Sequence, residues 1–201
     1  YNSGTFENID VPPTLVSFAV STAHSNKIVS QEFKKSGSKV IFIKPEYNEN
    51  TLPNFNSIKA CFDKVEKLVA DGHAKAIWAV SFGGVAEAVT KMAFGNKIGF
   101  KFTQKLDDKA LFTPYYGAFV IELDENAQTT ENVIGMTIDE YKIDCINYTV
   151  PLDKMQENWE NRLEPVFPCN IKVENTAAKI FTHTTSFRPT PAVKTAKPRV
   201  L

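Results

Sequence analysis

The stretch from Ala76 to Phe94, AIWAVSFGGVAEAVTKMAF, constrains the fold more than any other part of this chain. An apolar run rich in β-formers meets Ser-Phe-Gly-Gly, after which apolar residues recur at Val85, Ala88, Val89, Met92 and Ala93. That spacing lays one apolar stripe along an α-helix, so the stretch predicts a strand, a tight glycine turn and a helix. Two uses of such a unit stand open. Backbone N–H groups at a glycine turn opening a helix can hold an anion, usually phosphate. Alternatively, Gly83 and Gly84 only permit a sharp turn and close helix–sheet packing. A nucleophilic role for Ser81 is excluded, because Ala79 stands where the G-x-S-x-G pattern requires glycine, and no Gly-Lys-Ser/Thr follows as a Walker A loop would need.

A chain of 201 residues with 43% hydrophobic content has enough apolar surface for one sizeable core. The formal net charge of +0 gives no global electrostatic reason to expect nucleic acid or an anionic membrane as partner. Cys61, Cys145 and Cys169 lie far apart with no CxxC pair, which suits neither a disulfide framework nor a zinc site and favours a reducing, cytoplasmic setting. No apolar stretch reaches the roughly 18 residues of a membrane span.

Along the chain, residues 1–13 read as a polar, irregular lead-in segment, with Pro12-Pro13 disfavouring helix. Thr14 to Val20 and Lys39 to Ile43 read as buried strands, and Ser30 to Ser36 as a short helix stopped by Gly37. Phe55 to Ala70 is the clearest amphipathic helix, ended by Asp71-Gly72. Ile98 to Phe102 and Gly117 to Leu123 are further strands, while Val133 to Ile138 and Ile143 to Tyr148 read as a hairpin. Pro151 suits the first turn of a helix carrying Leu152, Met155, Trp159 and Leu163 on one face, ended by Pro165. Beyond it, prolines and scattered basic residues read as a linker.

Other candidate chemistry is thin. His24, His73 and His183 have no Cys, Asp or Glu at metal-ligand spacing, and Asp107-Asp108 and Asp124-Glu125 read as solvent-facing charge beside strands. No residue of this chain is expected to be catalytic or to bind a metal.

Taken in order, VPPTLVSFAV (Val11 to Val20), VSQEFKKSGSKVIFI (Val29 to Ile43), AVSFGGVAEAVTKMAFGNKIGF (Ala79 to Phe100), LFTPYYGAFVIEL (Leu111 to Leu123) and LDKMQENWENRLEPVFP (Leu152 to Pro168) resemble the phosphoribosylformylglycinamidine synthase family. The matching region is the C-terminal lobe of its second aminoimidazole-ribonucleotide-synthetase-like half, in the long single-chain form. FRPTPAVKTAKPRVL (Phe187 to Leu201) is similar to the connection leading there into a glutaminase domain. The resemblance implies an α+β fold with a mixed sheet and packed helices. It divides the chain into the lead-in 1–13, the lobe 14–168 and a linker 169–201 toward a glutaminase outside this chain.

The resemblance further implies a lobe of an ATP- and glutamine-dependent ligase of purine biosynthesis, which converts formylglycinamide ribonucleotide to its amidine by phosphorylating the amide oxygen and displacing phosphate with ammonia. ATP and Mg2+ would serve the whole enzyme, with none held tightly by this lobe alone, which is expected to be inactive by itself. Its partners would be the remaining domains of the same polypeptide. Carried over by position, the phosphate-facing turn is Ser81, Gly83 and Gly84. Two departures bear on it. Phe82 stands where the family commonly has Asp, so any role needing that carboxylate is lost. Thr113-Pro114 likewise stands where the family often has Ser-Glu. Rival readings are a lobe of a selenophosphate synthetase or thiamine-phosphate kinase, or a structural lobe that binds no nucleotide.

Overall fold

A computed structural model describes residues 2–50, 52–169 and 182. The chain divides into two units, 1–162 and 163–201. In the second, turns over 163–169 are held by the Val166 and Phe167 N–H groups on the Leu163 carbonyl and by the Cys169 N–H on Glu164. Most of the expected linker lies outside the described residues.

The first unit is built on a seven-stranded mixed sheet, and each strand owes its place to alternation. In β3 (Lys39–Ile43), Val40 and Phe42 turn to one side, Ile41 and Ile43 to the other. In β6 (Phe119–Leu123), Val120 faces one layer while Ile121 and Leu123 face the other. A strand with both faces apolar needs cover on both, which helices supply. α1 (Phe55–Ala70) covers one face with Cys61, Val65, Leu68 and Val69, its start capped by the Asn54 side chain on the Asn56 and Ser57 N–H groups. α2 (Gly84–Asn96) covers the other with Val85, Ala88, Val89, Met92 and Ala93, the stripe expected from sequence. The short α3 (Asp108–Phe112) and α4 (Leu152–Glu160) join that layer through Leu111 and Leu152.

The remaining strands are β4 (Ala74–Ala79), β5 (Gly99–Phe102), β7 (Asn132–Ile138), β8 (Lys142–Asp144) and β9 (Thr149–Pro151). The spatial order is β4-β6-β3-β7-β5-β8-β9, antiparallel except for the β5–β8 pair. This is the α+β class expected from sequence.

Four expectations are corrected. Thr14 to Val20 is not a buried strand. A separate hairpin of β1 (Asn2–Phe6) and β2 (Ile9–Thr14) occupies the supposed lead-in, and the apolar residues after it lie open, Phe18 86% and Val20 89% exposed. Among the described residues no strand pairs with that run, so its β-favouring composition has no ladder to join. Pro12 and Pro13 are tolerated in β2 because a two-stranded sheet has only edges. Second, Ser30 to Ser36 forms bends and turns instead of a helix, because three of its N–H groups are taken by distant acceptors. Phe33 N–H goes to the Met92 carbonyl, and the Lys34 and Lys35 N–H groups go to the Glu122 carboxylate at 2.7 and 3.1 Å.

Third, β7 and β8 do not pair with each other; β5 lies between them, and β8 forms its hairpin with β9. Finally, α4 ends at Glu160, so Leu163 is not on its face, and Pro151 is its cap. Among the described residues no helix is long and apolar enough to cross a membrane.

Glu122 is fully buried, and its two oxygens hold the 33–38 loop to the sheet; the Thr137 hydroxyl helps by accepting from the Ser38 N–H and donating to the Lys35 carbonyl. Removing the carboxylate strands two backbone donors. Glu122→Ala is therefore expected to destabilise the fold by roughly 2–4 kcal/mol and to lower Tm by about 5–12 °C. Glu122→Gln, which keeps one carbonyl acceptor, should lose less. Calorimetry of the three chains checks this, and an unchanged Tm for Glu122→Ala would show that the loop does not depend on the clamp.

Candidate functional site

The end of β4 and the start of α2 form the strand–turn–helix unit anticipated from sequence. After Ala79 the chain turns through Ser81, Phe82 and Gly83, with the Gly84 N–H on the Ser81 carbonyl at 3.0 Å. Gly84 adopts φ +67, the left-handed region that glycine enters without a Cβ penalty. A Cβ there would also clash with the Leu111 carbonyl oxygen and come within 2.9 Å of Phe112 Cα. Glycine is thus what lets α3 lie against the start of α2. At Gly83 an added Cβ would meet the Glu87 side chain.

Three donors of the turn, the Ser81 hydroxyl and the Gly83 and Gly84 N–H groups, are occupied by the chain itself. One carboxylate oxygen of Glu87, Oε2, accepts from the Ser81 hydroxyl and from the Gly83 N–H, both at 2.9 Å. The other, Oε1, accepts from Lys91 Nζ at 2.8 Å, one helical turn further on. Lys91 in turn lies over two indoles, 5.8 Å from the Trp78 ring centre and 5.4 Å from that of Trp159. The Lys91 hydrogen bond is the largest influence lowering the Glu87 pKa; the Gly83 and Ser81 donors add to it, and desolvation opposes it. The carboxylate is therefore held in its charged form.

Of the three residues singled out from sequence, Ser81 and Gly83 thus converge on one anionic oxygen. Gly84 does not join them, since its N–H is already committed to Ser81. Phe82, in the position commonly acidic in the resembled family, is 83% exposed. The donor set suits a phosphoryl or carboxylate oxygen. It does not suit Mg2+, which requires oxygen acceptors. Glu87 and Lys91 were not anticipated. Their signal was present, an acid and a lysine four residues apart in the first turns of a helix, but only the fold shows that the acid reaches back to the turn.

Other expected neighbours have local roles. Asp107 caps α3 through the Ala110 N–H, and Asp124 pairs with Lys75 at 2.9 Å. Tyr115, next to Thr113-Pro114, packs on Phe42 and Tyr47 beneath the Lys44 ammonium.

No protein-family model matches the sequence, and no curated protein matches it. Solved structures do match in fold. The ADP complex of Thermotoga maritima PurL superposes with a TM-score of 0.53 at 15% identity, covering 78% of this chain and 30% of that one. Its complex with FGAR gives 0.54 at 14% identity, covering 79% and 33%. The PurLQS structure from the same organism gives 0.54 at 15%, covering 79% and 31%.

The fold is that of part of PurL. Phosphoribosylformylglycinamidine synthase II from the same organism matches to the same extent, so the likeness of fold falls on the family that the sequence resembles. This chain spans about a third of the PurL chains it matches, and at such identities the likeness concerns fold.

Two outcomes follow from the turn. Gly84→Ala must place a Cβ in the left-handed region against the backbone of α3 and is expected to destabilise by at least about 2 kcal/mol, read as a drop in the urea midpoint. Because the folded-state pKa of Glu87 is depressed, its stabilisation is fully present above the ordinary glutamate range and is lost as pH falls through the folded value. The Tm gap between the native chain and Glu87→Gln should therefore narrow in acid. A gap that stays constant with pH would contradict the assigned network.

Proposed function

We propose that this chain is a supporting lobe of a ligase of the PurL kind, which forms formylglycinamidine ribonucleotide from formylglycinamide ribonucleotide with ATP and glutamine-derived ammonia. Within that lobe the Ser81–Gly84 turn faces a phosphate of substrate or nucleotide, and Glu87 stands in for that phosphate when none is bound. The observation that carries this reading is the convergence of the Ser81 hydroxyl and the Gly83 N–H on a single anionic oxygen. A carboxylate oxygen accepts as a phosphoryl oxygen would, and charge-assisted bonds of this kind are the strong ones. The PurL-like fold supports the ligase assignment.

In this reading the lobe supplies positioning and no catalytic carboxylate. Ser81 and Gly83 donate to the incoming phosphate, Gly84 shapes the turn, and Lys91 retains Glu87 after it leaves the turn. ATP and Mg2+ would provide the phosphorylating chemistry from sites formed with the remaining domains of the polypeptide, a glutaminase among them, in the cytoplasm.

A second reading has a specific observation behind it. The Ser81 hydroxyl and the Gly83 N–H are already satisfied by Glu87, as they would be in a lobe that binds nothing and only packs against neighbours. Replacing Glu87 separates the two. In the full-length gene product, Glu87→Ala should bind inorganic pyrophosphate at least about tenfold more tightly than the native protein, by titration calorimetry, because it removes the internal competitor. Unchanged affinity would leave the turn structural. The ligase assignment is tested separately by amidine formation from FGAR with ATP and glutamine; no product from the native full-length protein would overturn it.

A further inference from the structure

On the outer side of α2, beside α4 and the β8–β9 hairpin, lies a cavity of about 400 Å³. Its floor is apolar, made by side chains such as Val89, Phe102, Leu111 and Ile143. Its mouth carries Phe112, Tyr148 and Trp159, each more than half exposed. Small-molecule sites are concave, mostly apolar and within roughly 300–1,000 Å³, and this cavity meets all three conditions.

The charge on its wall says which small molecules fit. The charged side chains there are Glu87 and Lys91, and they neutralise each other. Both Glu87 oxygens are engaged, and the Lys91 ammonium lies between the faces of Trp78 and Trp159. A charged ligand meets a pair whose charges already cancel and gains little net attraction from it, whereas a neutral one needs no counter-charge. The exposed rings of Phe112, Tyr148 and Trp159 offer π faces and edges. Thr90 on the wall and Cys145 and Tyr148 at the mouth are its uncharged polar groups.

We propose that this cavity is a binding site for a neutral, planar aromatic compound, sharing the Gly83, Glu87 and Lys91 wall with the turn and independent of the ligase assignment. The ring system enters between Trp159 and Tyr148 and lies on the apolar floor, and no charge is transferred to or from the Glu87–Lys91 pair.

The test uses the full chain and N-phenyl-1-naphthylamine, a neutral aromatic probe whose fluorescence rises in an apolar site, beside its sulfonated analogue 8-anilinonaphthalene-1-sulfonate. The neutral probe should bind saturably with one-to-one stoichiometry, and the added sulfonate should bring no gain in affinity. Ala86→Phe, which fills the cavity from α2, and Met155→Glu, which places a charge at its half-open mouth, should each weaken binding at least tenfold. Circular dichroism establishes that each variant is folded, and Met155 is exposed enough that its replacement leaves the core alone. Phe18→Ser, in the exposed apolar run before the sheet, should bind as the native chain does. Tighter binding of the sulfonate, loss of binding in Phe18→Ser instead, or no saturable binding would each overturn the proposal. So would concentration-dependent self-association, by sedimentation, that Met155→Glu abolishes while probe binding persists unchanged, since the face would then be an interface between copies.

Discussion

One carboxylate organises the best-defined polar feature of this chain. Glu87 reaches back from the first turns of α2 to the Gly83 N–H and the Ser81 hydroxyl, and forward to Lys91. A helix start leaves N–H groups without intrahelical acceptors and a partial positive charge. A carboxylate from the same helix answers both demands. It thereby joins the end of β4 to α2 and, through Lys91, draws Trp78 and Trp159 toward the same flank. The turn and the neighbouring cavity share a wall because they share this ion pair.

The rest of the layer follows from what glycine permits. Gly84 brings the backbone of α3 against the head of α2, closer than any side chain would allow, and Leu111 and Phe112 then form one side of the cavity. On the sheet itself the corresponding constraint is Glu122, a buried acid that fastens the 33–38 loop by its backbone. Both devices use side-chain carboxylates on backbone donors, the interaction whose loss leaves a partly buried polar group unmade.

Local pattern made much of this fold legible. The α1 helix was recognisable to its ends from its spacing and from Asp71-Gly72. The β4–turn–α2 unit, with its apolar stripe, was equally plain. Failures came where a distant partner decided the outcome. Ser30 to Ser36 has a helical pattern, but Glu122, some ninety residues away in sequence, takes the Lys34 and Lys35 N–H groups. Thr14 to Val20 has the composition of a buried strand, but beyond Thr14 it has no ladder among the described residues. The β7–β8 hairpin was wrong because strand order in a mixed sheet is a property of the whole sheet, and β5 inserts between them. At the site, Ser81 and Gly83 could be picked out from the turn, whereas Glu87 could not, since its reach toward the turn depends on the backbone path through Gly83 and Gly84.

That reach is also the point on which the functional reading rests. It is measured most directly by following the Gly83 amide proton and nitrogen shifts, together with the Glu87 side-chain carboxyl carbon, by NMR through the acidic pH range. The account predicts that the Gly83 amide and the Glu87 carboxyl titrate together, with a common midpoint below the ordinary glutamate range. A Gly83 amide indifferent to pH, or a Glu87 carboxyl titrating as a free glutamate does, would contradict it.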